Sequence, residues 1–266
     1  MVNEFQEYNP LLNYTPQLYY YPFYSEADKQ KVLKAEPEQI GSSVLFKTEK
    51  SHFLITAKHV FDNIRISDVI VFLNGDSVIR LPIEAGFIEP IDQQDNKDII
   101  IIQINHELAS HFSTRYQFLD HTKIAFRHKF TQEEKYLIFG YINHQTKLHK
   151  ETFVTNQFGF ITSVKELNKI EDLGFNYDDN IILIYNRRKQ GFVFSDSPDF
   201  GPKDLRGLSG CGVWNIKPDP SNPGHYFYLL TGIMIEERIN RGIVIGTQIR
   251  LALDILWHRF STPLMV

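Results

Sequence analysis

Leu54-Ile55-Thr56-Ala57-Lys58-His59-Val60 is the stretch on which the reading of this chain turns. An apolar, β-branched run meets a small alanine and stops at a lysine and a histidine. Such a run reads as a buried strand, because branched side chains suit the pleated surface. Ala57 ends it with almost no side chain, and His59 follows at the strand's mouth. Outward from this stretch the same pattern recurs. Short β-type runs cover residues 43–46, 69–73, 78–81 and 99–104, and Asn74-Gly75 between two of them is a hairpin signal. Beyond a polar stretch at 131–134 the rhythm resumes at 136–139, 152–154, 181–185, 212–215, 228–235 and 243–249. Residues 251–260 read as an amphipathic helix with Leu253, Leu256, Trp257 and Phe260 on one face. Many short strands and one terminal helix predict an all-β sandwich or barrel. The strands divide into two halves of about six each, which fits two six-stranded antiparallel β-barrels with a C-terminal α-helix.

Length and composition set the outer limits. A chain of 266 residues buries enough surface to fold without a disulfide or metal staple. At 42% hydrophobic and 23% charged residues it is an ordinary globular composition, and 14% aromatic residues favour sheets. A net charge of −4 provides no global basic field for nucleic acid. One cysteine excludes a disulfide framework and a CxxC metal site, the histidines are scattered, and Gly-x-Gly-x-x-Gly and P-loop patterns are absent, so no metal and no cofactor are expected. No apolar run is long enough to span a bilayer and no signal peptide is visible, which points to a cytoplasmic protein without a membrane partner. The expected division is an N-terminal arm and short helix at 1–39, with Ser25 as the helix N-cap, a first barrel at 40–130 and a second at 131–266, together one domain.

Two further stretches join the first as candidate chemistry. Lys97-Asp98-Ile99-Ile100-Ile101-Ile102 puts a carboxylate at the mouth of a wholly apolar strand. Gly207-Leu208-Ser209-Gly210-Cys211-Gly212-Val213 puts a serine among glycines just before another strand. A serine hydroxyl is a weak nucleophile and needs an adjacent base. His59 can take its proton, and Asp98 can fix the imidazole tautomer and stabilise the imidazolium. A carboxylate at a buried strand end is costly without such a partner. A tight turn over 207–209 can aim the N–H groups of Gly207 and Ser209 at one point as an oxyanion hole. Each piece alone has a structural reading: a junction histidine, a strand cap, a glycine turn. Asp95 competes as the third member, but it sits in the polar stretch 93–97 where solvation is easy. Cys211 reads as a core position.

Taken together, in the order His, Asp, Ser and at spacings of 39 and 111 residues, these stretches resemble the trypsin-like, chymotrypsin-fold serine peptidases, above all their bacterial, disulfide-free branch. Thr56-Ala57-Lys58-His59 is similar to the family's histidine box, Asp98-Ile99-Ile100-Ile101 to its aspartate box and Gly207-Leu208-Ser209-Gly210 to its serine box. Gly41-Ser42-Ser43-Val44-Leu45 resembles the opening strand, and Gly232-Ile233-Met234-Ile235 the strand that lines the substrate cleft. The resemblance implies a serine endopeptidase acting on intracellular protein or peptide substrates, restrained by a regulatory partner protein or by narrow specificity, and placed in a bacterial stress or antiviral defence system. Its rival is a catalytically silent binding module on the same fold. Leu208 stands where secreted members carry the aspartate that captures a newly cut N-terminus, so activation by propeptide cleavage is not expected.

For the substrate side the resemblance points to Lys203, Arg206, Ile235, Glu236 and Glu237. Lys203, six residues before the serine, takes the base of the specificity pocket and would favour acidic side chains. A register shift of one would put Asp204 there and reverse the preference, and Glu236 and Glu237 beside the pocket would attract basic ones.

Overall fold

The computed structural model describes residues 10–21, 37–73, 78–81, 87–88, 97–143, 147–149, 152–154, 157–165, 174–175, 178–188, 192–193, 202 and 204–260. In chain order its strands are β1 (Gln17–Tyr20), β2 (Glu38–Ser42), β3 (Val44–Lys47), β4 (His52–Ala57), β5 (Val69–Phe72), β6 (Val78–Arg80), β7 (Phe87–Ile88), β8 (Ile99–Ile104), β9 (Lys135–Tyr141), β10 (Lys147–His149), β11 (Thr152–Val154), β12 (Gln157–Thr162), β13 (Asn180–Ile184), β14 (Phe192–Val193), β15 (Gly212–Pro218), β16 (Tyr226–Arg238) and β17 (Ile243–Gln248). Helix α1 (His106–Phe112) follows β8, and α2 (Ile249–Phe260) follows β17. The fold is mainly β, with strands where the β-branched and aromatic runs of the sequence fall.

The first half carries two four-stranded sheets, ordered β2-β1-β5-β6 and β3-β4-β8-β7. One nearly continuous stretch, residues 38–47, supplies an edge strand to each sheet, so they face each other across one apolar core. Leu18, Leu45, Leu54, Val69, Val71 and Ile102 fill that core. The second half is a seven-stranded sheet ordered β13-β17-β16-β15-β9-β12-β14, with β10 and β11 as a separate hairpin. Trp214 and Phe139 lie on its face toward α2, where Ile249, Leu253 and Leu256 are buried in the same cluster.

Several expectations are corrected here. The strands pair into open sheets, not two closed six-stranded barrels. In the second half the backbone ladder between the two flanks of the sheet is, among the described residues, an isolated bridge, Val164 to Leu183, backed by hydrogen bonds from Lys165 N–H to Ile182 O (2.9 Å) and from Ile184 N–H to Ser163 O (3.0 Å). The described part of the N-terminal arm is built into the fold. Its residues 17–20 form β1, an inner strand between β2 and β5, because Leu18 and Tyr19 bury their side chains in the sheet interior. Trp257 is 42% exposed, since the buried face of α2 runs through Leu253 and Leu256 and turns past it. Strands β5 and β6 pair antiparallel as the hairpin signal requires, while Asn74-Gly75 and the helix expected after Ser25 lie outside the described residues. No described helix is long and apolar enough to cross a membrane.

Candidate active site

Strand pairing puts His59 and Asp98 side by side. Strands β4 and β8 run antiparallel with Ala57 opposite Ile99, so the residues just past one and just before the other share one end of the ladder. A 3-10 turn over Lys58–Phe61 then swings His59 back over Asp98. Lys58 N–H donates to Asp98 O (3.1 Å). The two carboxylate oxygens divide their work. Oδ1 accepts from the His59 backbone N–H at 2.9 Å, and Oδ2 lies 2.6 Å from His59 Nδ1. From the other half of the molecule, the buried Thr247 hydroxyl donates to Lys97 O. Asp98 is held at φ +28°, a region that L-residues avoid and that costs about 1–3 kcal/mol. Backbone strain of that size persists only where neighbours over-determine it, and here the carboxylate is fixed from two directions.

The Asp98 hydrogen bond, with the charges of Asp98, Asp62 and Glu236 behind it, raises the His59 pKa against the opposing effect of burial. Its imidazole is 41% exposed, open to a substrate, while the Asp98 side chain beneath is 20% exposed.

Ser209 arrives from the loop between Leu205 and β15. Its carbonyl oxygen accepts from Ser42 N–H at 2.8 Å, which fastens the loop to β2. A Cβ placed on Gly41 would sit 2.8 Å from Val60 Cγ2 and 2.9 Å from Ser209 O, so the Ser209 backbone and the residue after His59 flank one point. Strand β16 closes the same region: Gly210 N–H donates to Met234 O (2.8 Å), and the Glu236 charge bears on His59. The structure thus gathers His59, Asp98 and Ser209 at one edge. It joins the first two by hydrogen bonds. Among the described residues no hydrogen bond links the Ser209 hydroxyl to His59, a contact that in unliganded sites is often long.

The amides of the serine loop sort themselves. Leu205 N–H donates to Glu237 Oε2 (2.7 Å) and Arg206 N–H to Asp204 Oδ1 (2.8 Å). Leu208 N–H donates to Leu205 O (3.0 Å), Gly210 N–H to Met234 O, and Cys211 N–H to Leu208 O (2.9 Å). The Gly207 and Ser209 amides alone in this run have no acceptor among the described residues, and these are the two expected oxyanion donors. The carbonyls are turned away from that side. Arg206 O accepts from Asn143 N–H (2.9 Å), Gly207 O from the Ser42 hydroxyl (2.8 Å), Leu208 O from Cys211 and Ser209 O from Ser42.

Two glycines make this loop possible. Gly207 sits at φ +99°, and a Cβ there would meet Gln39 Nε2 at 2.6 Å, Tyr141 O at 2.7 Å and Asn143 N at 2.8 Å. Gly210 sits at φ +90°, with Ser42 O and Thr56 Oγ1 both 2.0 Å from where its Cβ would be. Neither place admits a side chain.

The remaining expectations divide. Arg206 is exposed and pairs with Asp204, and Glu237 is tied to the loop through Leu205. Burial is the main cause that raises the Glu237 pKa, with nearby Asp204 adding to it. Glu236 is paired with Arg238 at 2.6 Å. Ile235 is buried in the core cluster that holds Ala57 and Val60. Lys203 and Asp95 lie outside the described residues. Cys211 is buried and its thiol pKa is driven up by desolvation, which leaves it inert as a nucleophile. Leu208 is fully buried among Ile138, Leu205 and Met234. Sequence reasoning missed Gln39, Ser42 and Asn143 as loop supports. In the sequence Gly41-Ser42 reads only as a strand opening, and Asn143 carries no local signal at all.

The sequence matches no protein family, and no characterised protein matches it. Among solved structures, a chain from work on aromatic interactions driving the coupled folding and binding of the intrinsically disordered Sesbania mosaic virus VPg protein aligns with a TM-score of 0.48 at 12% identity, covering 96% of this chain and 98% of that one. Nothing further rests on that likeness.

Proposed function

We propose that the protein is a serine endopeptidase of the chymotrypsin-like type, cutting peptide bonds in proteins through His59, Asp98 and Ser209. One observation carries the reading: in the loop that presents Ser209, the two amides that an oxyanion would need, Gly207 and Ser209, have no acceptor among the described residues. In this mechanism Ser209 Oγ attacks the scissile carbonyl while its proton passes to His59 Nε2. The carbonyl oxygen becomes an oxyanion held by the Gly207 and Ser209 N–H groups. Asp98 Oδ2 receives the Nδ1 proton as a hydrogen bond and stabilises the imidazolium. Collapse breaks the C–N bond, and His59 returns its proton to the departing amine. Water then attacks the ester, again deprotonated by His59, and Ser209 leaves with its proton restored.

A second reading has its own observation. The missing Ser209–His59 hydrogen bond suits a protease fold kept as a binding module. A fluorophosphonate probe separates the two. The peptidase reading expects labelling at Ser209 in the wild type, no labelling of Ser209→Ala, and hydrolysis of a mixed peptide library. A folded protein that neither labels nor hydrolyses would be the binding module.

A further inference from the structure

The Gly207 amide, which has no acceptor among the described residues, is turned by a polar bracket outside the triad. Arg206 O is held by Asn143 N–H at 2.9 Å. A trans peptide is planar, with its C=O and N–H antiparallel, so the Gly207 N–H points opposite to Asn143. Asn143 is itself tethered: its Nδ2 donates to Gln39 O at 3.0 Å. The Gln39 side chain, 2% exposed, donates from Nε2 to Tyr141 O at 3.0 Å. These two bonds clamp the end of β9 to β2, and that clamp sets where Asn143 N–H stands. The bracket also fills the space behind Gly207, since Gln39 Nε2, Tyr141 O and Asn143 N are the atoms nearest to a Cβ placed there.

We infer that Asn143 and Gln39 are positioning residues for the oxyanion hole: their side chains lock the Arg206–Gly207 peptide in the orientation that turns the Gly207 N–H toward the substrate. The inference rests on the peptidase reading and deepens it. Without the lock the peptide can rotate, placing a carbonyl where the donor should be. Loss of one oxyanion donor costs on the order of a hundredfold or more in rate. A lock that only biases the peptide costs part of that.

Asn143→Asp is nearly isosteric and deletes the donor to Gln39 O. It is expected to lower kcat about tenfold or more with KM within about twofold, the pattern of an interaction made only in the transition state. The inhibition constant of a peptidyl trifluoromethyl ketone, whose hemiketal oxyanion occupies the hole, should rise by the factor by which kcat falls. A variant that merely misfolds in part would lower apparent kcat and leave that constant unchanged. Gln39→Met, which removes the donor to Tyr141 O, carries the same readouts if Asn143→Asp does not fold. A kcat within threefold of wild type, or a loss in kcat with the inhibition constant unmoved, overturns the bracket while the peptidase reading stands. A wild type that neither hydrolyses peptides nor binds the ketone overturns both.

Discussion

Asp98→Asn tests the site at a single atom. In the wild type Oδ1 takes the His59 backbone N–H at 2.9 Å and Oδ2 faces Nδ1 at 2.6 Å. An asparagine has one oxygen for these two places. With its oxygen on the backbone N–H, its NH2 faces Nδ1, which must then accept. The imidazole proton moves to Nε2, and the base that Ser209 needs is gone. With the amide flipped, its oxygen accepts the Nδ1 proton but its NH2 confronts the backbone N–H, donor against donor. That leaves a polar group unsatisfied at a cost of about 1–3 kcal/mol, so the productive orientation is the minor one. The negative charge beside the developing imidazolium is lost in both. The corresponding substitution in the triad template lowers kcat about ten-thousandfold. Four decades are about 5 kcal/mol of barrier, of which the flip supplies about 1–3 and the lost charge the rest. Asparagine tolerates positive φ as aspartate does, so the fold should stand. The assay is kcat/KM on a fluorogenic peptide chosen from a library, with 15N NMR of the His59 ring to read the tautomer. A rate within tenfold of wild type, or an imidazole still protonated at Nδ1, would refute the reasoning.

Ser209→Ala should abolish hydrolysis and probe labelling with the fold intact by circular dichroism, whereas Cys211→Ala should keep both, because the Cys211 thiol is buried and held protonated. Activity should rise with pH through an apparent pKa above the ordinary histidine value, since the Asp98 hydrogen bond raises that of His59 and the base must be neutral. The linked stability has the opposite sense: the pair contributes fully below the unfolded value of about 6.5 and is lost as pH rises through the folded pKa, visible as a falling Tm across that window. Gly210→Ala should destabilise the protein by about 3 kcal/mol or more in urea titration, because positive φ costs about 1–2 kcal/mol and the new methyl displaces the Thr56 hydroxyl from Ser42 O. A single proteolytic cut near Ile40 should give no rise in activity, since buried Leu208 offers no carboxylate to a new α-amino group; a sharp rise would refute this.

What was legible in the sequence is what the chain encodes locally. The apolar runs at 53–55 and 99–102 announce buried strands, because a strand covered on both faces reads as a continuous apolar run rather than an alternating one. The glycines at 207 and 210 announce a loop in which side chains do not fit. The order of His59, Asp98 and Ser209 also lies in the sequence, and their gathering follows from β4–β8 pairing and from one hydrogen bond between Ser42 and Ser209. Tertiary structure alone decided the rest. Whether six strands close into a barrel depends on how their far edges meet, and no local pattern fixes that; here the edges of the second half touch at one bridge. The side to which Trp257 turns depends on what the helix packs against. The state of the Gly207 amide is set by Asn143, 64 residues earlier, and by Gln39 on a different sheet. Local sequence places a backbone donor on a loop, but the direction in which it points is set by whichever distant group holds the carbonyl at the other end of its peptide.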